Sequence, residues 1–281
     1  MSAERTVFYA AGSGEGDGRH CRFCGADLSP EQIGNGICGS LECHDRMIDE
    51  SARAILARKR AKHDQVTEGV FAQVPEQIAE GRAKLGTDVL TWMVPAQHDP
   101  LIPLPEERIA RFREHMDFYA TMAFDAPEGA VDQSAHEKYE PDEVPLAGAA
   151  CATCQGRCCR DRGGDTALLL PDDFTRYRQR NPGTTKEQAI EAYLSHLPDQ
   201  ATRDGCVYQA ITGCALPREM RQHICNSYYC DPLRWLKMAS DEAGIDRAVL
   251  VAAHEGVPER VVAVDAGGVR TQIANLVEDV E

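Results

Sequence analysis

Twelve cysteines are the residues of this chain whose type and spacing could do chemistry. They fall into an N-terminal quartet (Cys21-x2-Cys24 and Cys38-x4-Cys43) and a distal set in two clumps. The first distal clump is Cys151-x2-Cys154-x3-Cys158-Cys159, and the second is Cys206, Cys214, Cys225 and Cys230. Thiolates are soft ligands, and clustered thiols suit zinc or an iron–sulfur centre. Disulfides are the competing use. No apolar leader follows Met1-Ser-Ala-Glu-Arg5, so a cytoplasmic, reducing location is expected, where metal binding is the commoner fate of such cysteines. Adjacent Cys158 and Cys159 would also bridge each other only with strain.

Cys21-x2-Cys24 followed by Gly25 is half of a zinc knuckle: two sulfurs bracket a tight turn, and glycine supplies the backbone freedom beside the ion. The second pair follows after Gly34-Asn35-Gly36, a turn signal. A zinc-ribbon-like module over 21–44 is expected, with Cys21, Cys24, Cys38 and Cys43 as ligands and His44 as an alternative to Cys43. Four protein ligands leave no open position, so this zinc is expected to hold the fold.

In the distal set, a CxxC clip lets two sulfurs reach one ion from a single turn, whereas vicinal side chains diverge. Cys158 and Cys159 therefore suggest two adjacent metal sites, one multinuclear cluster, or one ligand beside a structural or redox thiol. Cys225 and Cys230, five apart, cannot face one ion from a continuous helix, so the chain must break near Asn226-Ser227. Asp231-Pro232 then reads as an N-cap and first helical residue. That places Cys230 just before a helix N-terminus, where thiolates are favoured. Arg221 is read either as a source of positive charge and hydrogen bonds for the centre or as a surface arginine.

These residues resemble the YkgJ-type CxxCxxCC cysteine-cluster family, a zinc- or iron-chelating domain, over roughly 150–235. The likeness rests on the first clump, on Cys206, on Gly213-Cys214-Ala-Leu-Pro217, and on Arg221-x3-Cys225 with Tyr228, Tyr229 and Cys230. The first clump carries one residue more than the family's name, and Gln222 stands where the family often has proline. The resemblance implies zinc or an iron–sulfur cluster and no settled reaction. Flagellin lysine methylases are similar in carrying such a cluster.

The elements that must position these thiols are mostly helical. Helical periodicity begins near Asp45, with Met47, Ala54, Ile55 and Ala61 on one face and a basic face of Arg53, Arg58, Lys59, Arg60 and Lys62. The basic face reads as a partner or nucleic-acid contact, or as a solvated surface. Pro75–Leu85 reads as a helix closed by Gly86, and Thr87–Val94 as a strand. A further helix starts at Pro105, with Ile109, Phe112, Met116, Tyr119 and Ala123 as its core stripe. Between the distal clumps, a short strand at Ala167–Leu170 precedes helices from Pro171 and over Thr185–Leu197. Arg247–Ile273 reads as two or three antiparallel strands.

The expected architecture is thus α+β and mostly helical. Its parts are a flexible lead-in (1–20), the zinc module (21–44), a helical connector (45–124), an acidic Pro-containing linker (125–146) and a Cys-cluster domain with a β-rich tail (147–275). A formal net charge of −15 argues against non-specific nucleic-acid binding, and no apolar run is long enough to span a membrane. No Gly-rich nucleotide loop, Ser/His/Asp set or paired carboxylates stand out, and His136, His196, His223 and His254 read as isolated. A metal-binding protein is the first reading. A redox or protein-modifying enzyme and a zinc-stabilised adaptor for a protein partner are the alternatives.

Overall fold

The computed structural model describes residues 19–127, 145–160 and 164–277. Most of the expected lead-in, most of the expected linker with His136, and the last four residues lie outside them. The architecture is α+β and mostly helical. Two compact units divide the chain, one up to Asp64 and the other from Gln65 onward. The division therefore falls well before the boundary expected at 125–146. The reason is pairing: strand β1 (Leu90–Pro95), from the supposed connector, is a member of the C-terminal sheet.

The first unit holds a knuckle around Cys21 and Cys24, a short helix α1 (Pro30–Ile33), and the start of a long helix α2 (Leu41–Phe71). Its core is small: Cys21, Leu28, Ile37 and Cys43, with Phe23, Cys38 and Met47 against them. Beyond Met47 the expected apolar face of α2 lies open. Residues 48–59 are exposed throughout, Ile48, Ile55 and Leu56 included. Arg53, Arg58, Lys59 and Lys62 are exposed with them, and Arg60 pairs with Asp64 at 3.0 Å.

Beside the short antiparallel pairs β2 (Leu101–Pro103) with β3 (Gln200–Thr202) and β4 (Gln209–Ala210) with β5 (Gly213–Cys214), the second unit is built on a four-stranded sheet in the order β1-β6-β7-β8, where β6 is Ala248–His254, β7 Val257–Val264 and β8 Arg270–Asn275. β1 runs parallel to β6, and the other pairs are antiparallel. β6 reads apolar at every position from Ala248 to Ala253, as a strand covered on both faces must. Val249 and Val251 face a layer formed by Val70, Val74 and α3 (Pro75–Leu85). Here Gly81 allows close approach, since a Cβ on it would lie 2.9 Å from Val249. Trp92, Val94, Leu250 and Val262 face α5 (Pro145–Cys154) and α10 (Asp231–Ala243), the helices that carry or follow the first and last distal cysteines.

A second core joins α4 (Glu106–Asp125), α7 (Pro171–Arg180) and α8 (Lys186–Leu194) through Phe112, Met116, Phe174, Ile190, Tyr193 and Tyr208. The expected strand at Ala167–Leu170 is instead a turn with positive φ at Ala167 (50°) and Leu168 (59°). This turn follows a 3-10 segment and delivers Leu169 into the core, where it is fully buried. Among the described residues no helix is long and apolar enough to cross a membrane.

Candidate metal centres

Each half of the N-terminal quartet is placed by local backbone. The Gly25 N–H donates to the Cys21 carbonyl at 2.8 Å, with Gly25 at φ 75°, so the first clip closes as a tight turn. The wide second clip has its own cause. Ser40 immediately precedes α2, and its hydroxyl accepts from the Cys43 N–H at 3.3 Å in the manner of an N-cap, while the Cys38 thiol donates to it at 3.4 Å. Cys43 thereby sits in the first turn of a helix, where the dipole favours a thiolate. The four sulfurs lie within 4.8 Å of one another, a group that could hold a metal ion; His44 is not part of it. Cys24 and Cys38 Sγ are 3.6 Å apart, close to the separation of about 3.8 Å that a tetrahedral ion with Zn–S of about 2.3 Å requires.

The electrostatics show why a cation suits the quartet. Burial works to raise the Cys21 thiol, but backbone hydrogen bonds from Cys38, Cys24 and Phe23 outweigh it and bring it to about 6. Ser40 lowers Cys38. Ser40 also works to lower Cys43, yet burial and the sulfurs of Cys38, Cys24 and Cys21 push that thiol up to about 12. Four sulfurs this close cannot all ionise alone, and a divalent cation removes the conflict.

The distal cysteines are brought into one neighbourhood by long-range packing. Cys151 and Cys154 lie on α5, whose end is pinned by the Gln97 N–H to the Cys154 carbonyl (3.0 Å) and by Arg260 to the Thr153 carbonyl (3.4 Å). Cys158 and Cys159 follow in the short helix α6 (Arg157–Arg160) after a turn through Gly156 at φ 77°. Cys214 lies in β5 (Gly213–Cys214), paired with β4 (Gln209–Ala210). The expected break between Cys225 and Cys230 is present: α9 (His223–Ser227) ends and α10 starts at Asp231. Cys230 itself occupies the N-cap position, one residue earlier than the expected Asp231, because Asp231 already has helical geometry. The Trp92 indole fixes this start by donating to the Pro232 carbonyl at 3.0 Å.

Burial and neighbouring thiolate charge raise most distal thiols. Protein packed around Cys151, then the charges of Cys158 and Cys230, push it to about 12, although the residue retains exposed surface. Cys154, Cys206 and Cys225 rise to about 12 and Cys230 to about 11, with burial the largest cause in each. The hydrogen bond with Cys158 leads the causes that raise Cys159. Arg221 opposes this. Its guanidinium donates to the carbonyls of Leu216 (2.8 Å) and Cys214 (3.2 Å), and its charge favours ionised Cys151 and Cys225. Among the described residues, the N-terminal quartet is the one group of three or more potential ligands this tightly gathered, so the distal sulfurs stand wider apart.

Two polar residues that the cysteine pattern does not reveal organise the distal region. The buried Gln209 amide donates to the carbonyls of Gln155 and Gly156, both at 2.9 Å, and so ties the two clumps together. Arg108, buried on α4, donates to the carbonyls of Thr202, Arg203 and Gly205 and to Asp165 (2.6 Å), fixing the loop before Cys206. The only sequence signals were a glutamine inside an apolar run and an arginine within a core stripe. Nor is His254 isolated: its ring stacks on His98 at 4.7 Å, and its Nδ1 meets Arg157 at 3.1 Å. No protein-family model, curated protein or solved structure matches the chain.

Proposed function

We propose that this chain is a cytoplasmic metal-binding protein. Cys21, Cys24, Cys38 and Cys43 hold a structural zinc, and the cysteines from Cys151 to Cys230 hold an iron–sulfur centre or zinc. The gathering of the four N-terminal sulfurs within 4.8 Å carries the reading. For the distal region, the support is eight thiols in two clumps that the Gln209 amide ties together, with the Arg221 guanidinium bonded to the Cys214 carbonyl between them. The resemblance to the CxxCxxCC family, carried by the cysteine spacing together with Gly213, Pro217, Arg221, Tyr228 and Tyr229, points the same way. A bound centre would supply electron transfer or Lewis acidity, and the alternative is a redox or protein-modifying enzyme, lysine-methylase-like, built on it. Anaerobic purification followed by assay of iron, sulfide and zinc, with a visible spectrum, tests the assignment. Zinc without colour removes the iron–sulfur form, and absence of metal removes the proposal. A coloured centre that reduces reversibly supports the enzyme reading.

One observation favours a second role as an adaptor: α2 exposes Ile48, Ile55 and Leu56 beside Arg53, Arg58 and Lys59. Replacing Arg58, Lys59 and Arg60 with alanine should abolish capture of a protein partner and leave metal content intact. Unchanged capture rejects this role.

A further inference from the structure

We propose that the carboxyl ends of β1 and β6 carry an acid–base site at which a small carbonyl ester is hydrolysed. His98 takes the proton of the attacking water, and His254 donates a hydrogen bond to the developing oxyanion. This activity lies beyond metal binding and involves none of the thiols.

Chain topology brings the two rings together. β1 and β6 are parallel, with Pro95 beside Ala253. His98 and His254 stand at or just past their carboxyl ends, where sheets with parallel strands commonly present ligand-binding groups. The rings stack with centroids 4.7 Å apart and planes 5° from parallel, so one small molecule can meet the edges of both. The β6–β7 pairing skips a residue here: Ala252 pairs with Arg260 and Ala253 with Pro258, a bulge that leaves Glu259 unpaired. Bulges re-aim side chains in this way. The Glu259 side chain, 5% exposed, meets His98 Nδ1 at 2.7 Å and Arg260 Nη2 at 2.9 Å. Arg260 also donates to the carbonyls of Thr153 and Gln97, which fixes the carboxylate in turn.

These partners set opposite tautomers on the two rings. A guanidinium can only donate. His254 Nδ1, 3.1 Å from Arg157 Nη1, is therefore an acceptor, and the neutral ring carries its proton on Nε2. Glu259 already accepts from Arg260 and accepts from His98 Nδ1–H as well, which leaves a lone pair on Nε2 of the neutral His98 ring. One ring offers a base and the other a donor, the two groups that attack of water on a carbonyl requires. The His98 side chain is 57% exposed, so the base faces solvent while its carboxylate is buried. A structural Glu259–Arg260 pair would be complete without it. His20 meets Asp27 in a similar way at 2.9 Å, but that carboxylate is 91% exposed and orients a ring only weakly.

In the reaction, His98 Nε2 accepts a proton from water as the water oxygen bonds to the carbonyl carbon. The carbonyl π electrons move to oxygen, which accepts from His254 Nε2–H. When the bond from carbon to the leaving oxygen breaks, the leaving group takes the proton from His98, and both rings return to their starting forms.

The test follows release of p-nitrophenolate from p-nitrophenyl acetate by the full chain as purified. His98→Gln, at an exposed position, should lower the rate on the order of 100-fold. His254→Phe, which keeps a stacked ring without the donor, should lower it on the order of 100-fold as well. His20→Gln should leave the rate unchanged, and metal content should be the same in all samples. Nitrogen–proton correlation spectra of the histidine rings above neutral pH should place the proton on Nδ1 of His98 and on Nε2 of His254. Glu259→Gln should shift the His98 signals and lower the rate. Hydrolysis no faster than that of His98→Gln, a rate that follows metal content and not His98, or the same tautomer on both rings overturns the proposal. Shifted His98 signals with a full rate in Glu259→Gln overturn the positioning role of Glu259.

Discussion

The two cysteine regions are built in opposite ways. In the N-terminal unit the ligands are the core: Cys21 and Cys43 make up half of its four buried apolar residues. A core that small offsets little of the entropy of ordering the chain, which is the deficit that an ion held by the four sulfurs would make up. In the second unit only Cys154 belongs to a core, as one residue among many, while Cys230, Cys206 and Cys214 pack against the two cores from their edges. On the proposed reading, metal would be a condition of folding in one region and an addition to a folded scaffold in the other.

The largest expected effect tests that contrast directly. Cys21→Ser, or chelation, should cost on the order of 10 kcal/mol of metal-linked stability in the first unit. Limited proteolysis should then cut within residues 19–44 while the unit from Gln65 onward stays intact. Loss of metal from the distal cysteines in the same variant would break the comparison. Next comes Phe112→Ala. Its ring is fully buried and meets Tyr208 edge-on at 5.4 Å, so denaturant unfolding of the second unit should lose about 3–5 kcal/mol. Metal content of the N-terminal quartet should not change.

A smaller effect is expected at Gln209. Gln209→Ala leaves the Gln155 and Gly156 carbonyls without the amide that joins the two clumps. The cost should be about 1–3 kcal/mol, and distal metal should be released at a lower chelator concentration than in the parent chain. An unaltered chelation curve would show that the clumps need no such tie.

The smallest effect concerns acid. Burial raises the Asp165 carboxyl, but hydrogen bonds and charge from Arg108 and Arg111 outweigh it and hold it below the ordinary range. A depressed carboxylate contributes stability above its unfolded pKa, near 3.9, and that contribution disappears as pH falls through the lower folded value. The stability gap between the parent chain and Asp165→Asn, measured in urea, should therefore be widest near neutrality and shrink below about pH 4. A gap independent of pH would remove the ion pair from the account.

Most elements could be read in the sequence because their signals are local. Gly86 ends α3 as expected, and Pro105 stands at the N-cap of α4. That the chain must break between Cys225 and Cys230 followed from helix geometry, although the break falls at Tyr228 and Tyr229, just after the expected Asn226-Ser227. What escaped was non-local. Nothing in Leu90–Pro95 announces that its partner is Ala248–Ala253. Nor does spacing say that Gln209 reaches Gln155, or that Arg157 meets His254. At Ala167 and Leu168 local preference was overridden, since two non-glycine residues take positive φ to seat Leu169.

The parallel pairing of β1 with β6 sets an order of events in time. Leu90 must find Ala248, and contacts so distant along the chain form late because a long loop has to close first. Until β6 has been synthesised, α5 lacks the Leu250 face of the sheet core against which Cys154 is buried. The N-terminal quartet needs only residues 21–43. A nascent chain would therefore be able to gather its N-terminal sulfurs early in translation, whereas the distal cysteines reach their places only once the last strands have left the ribosome.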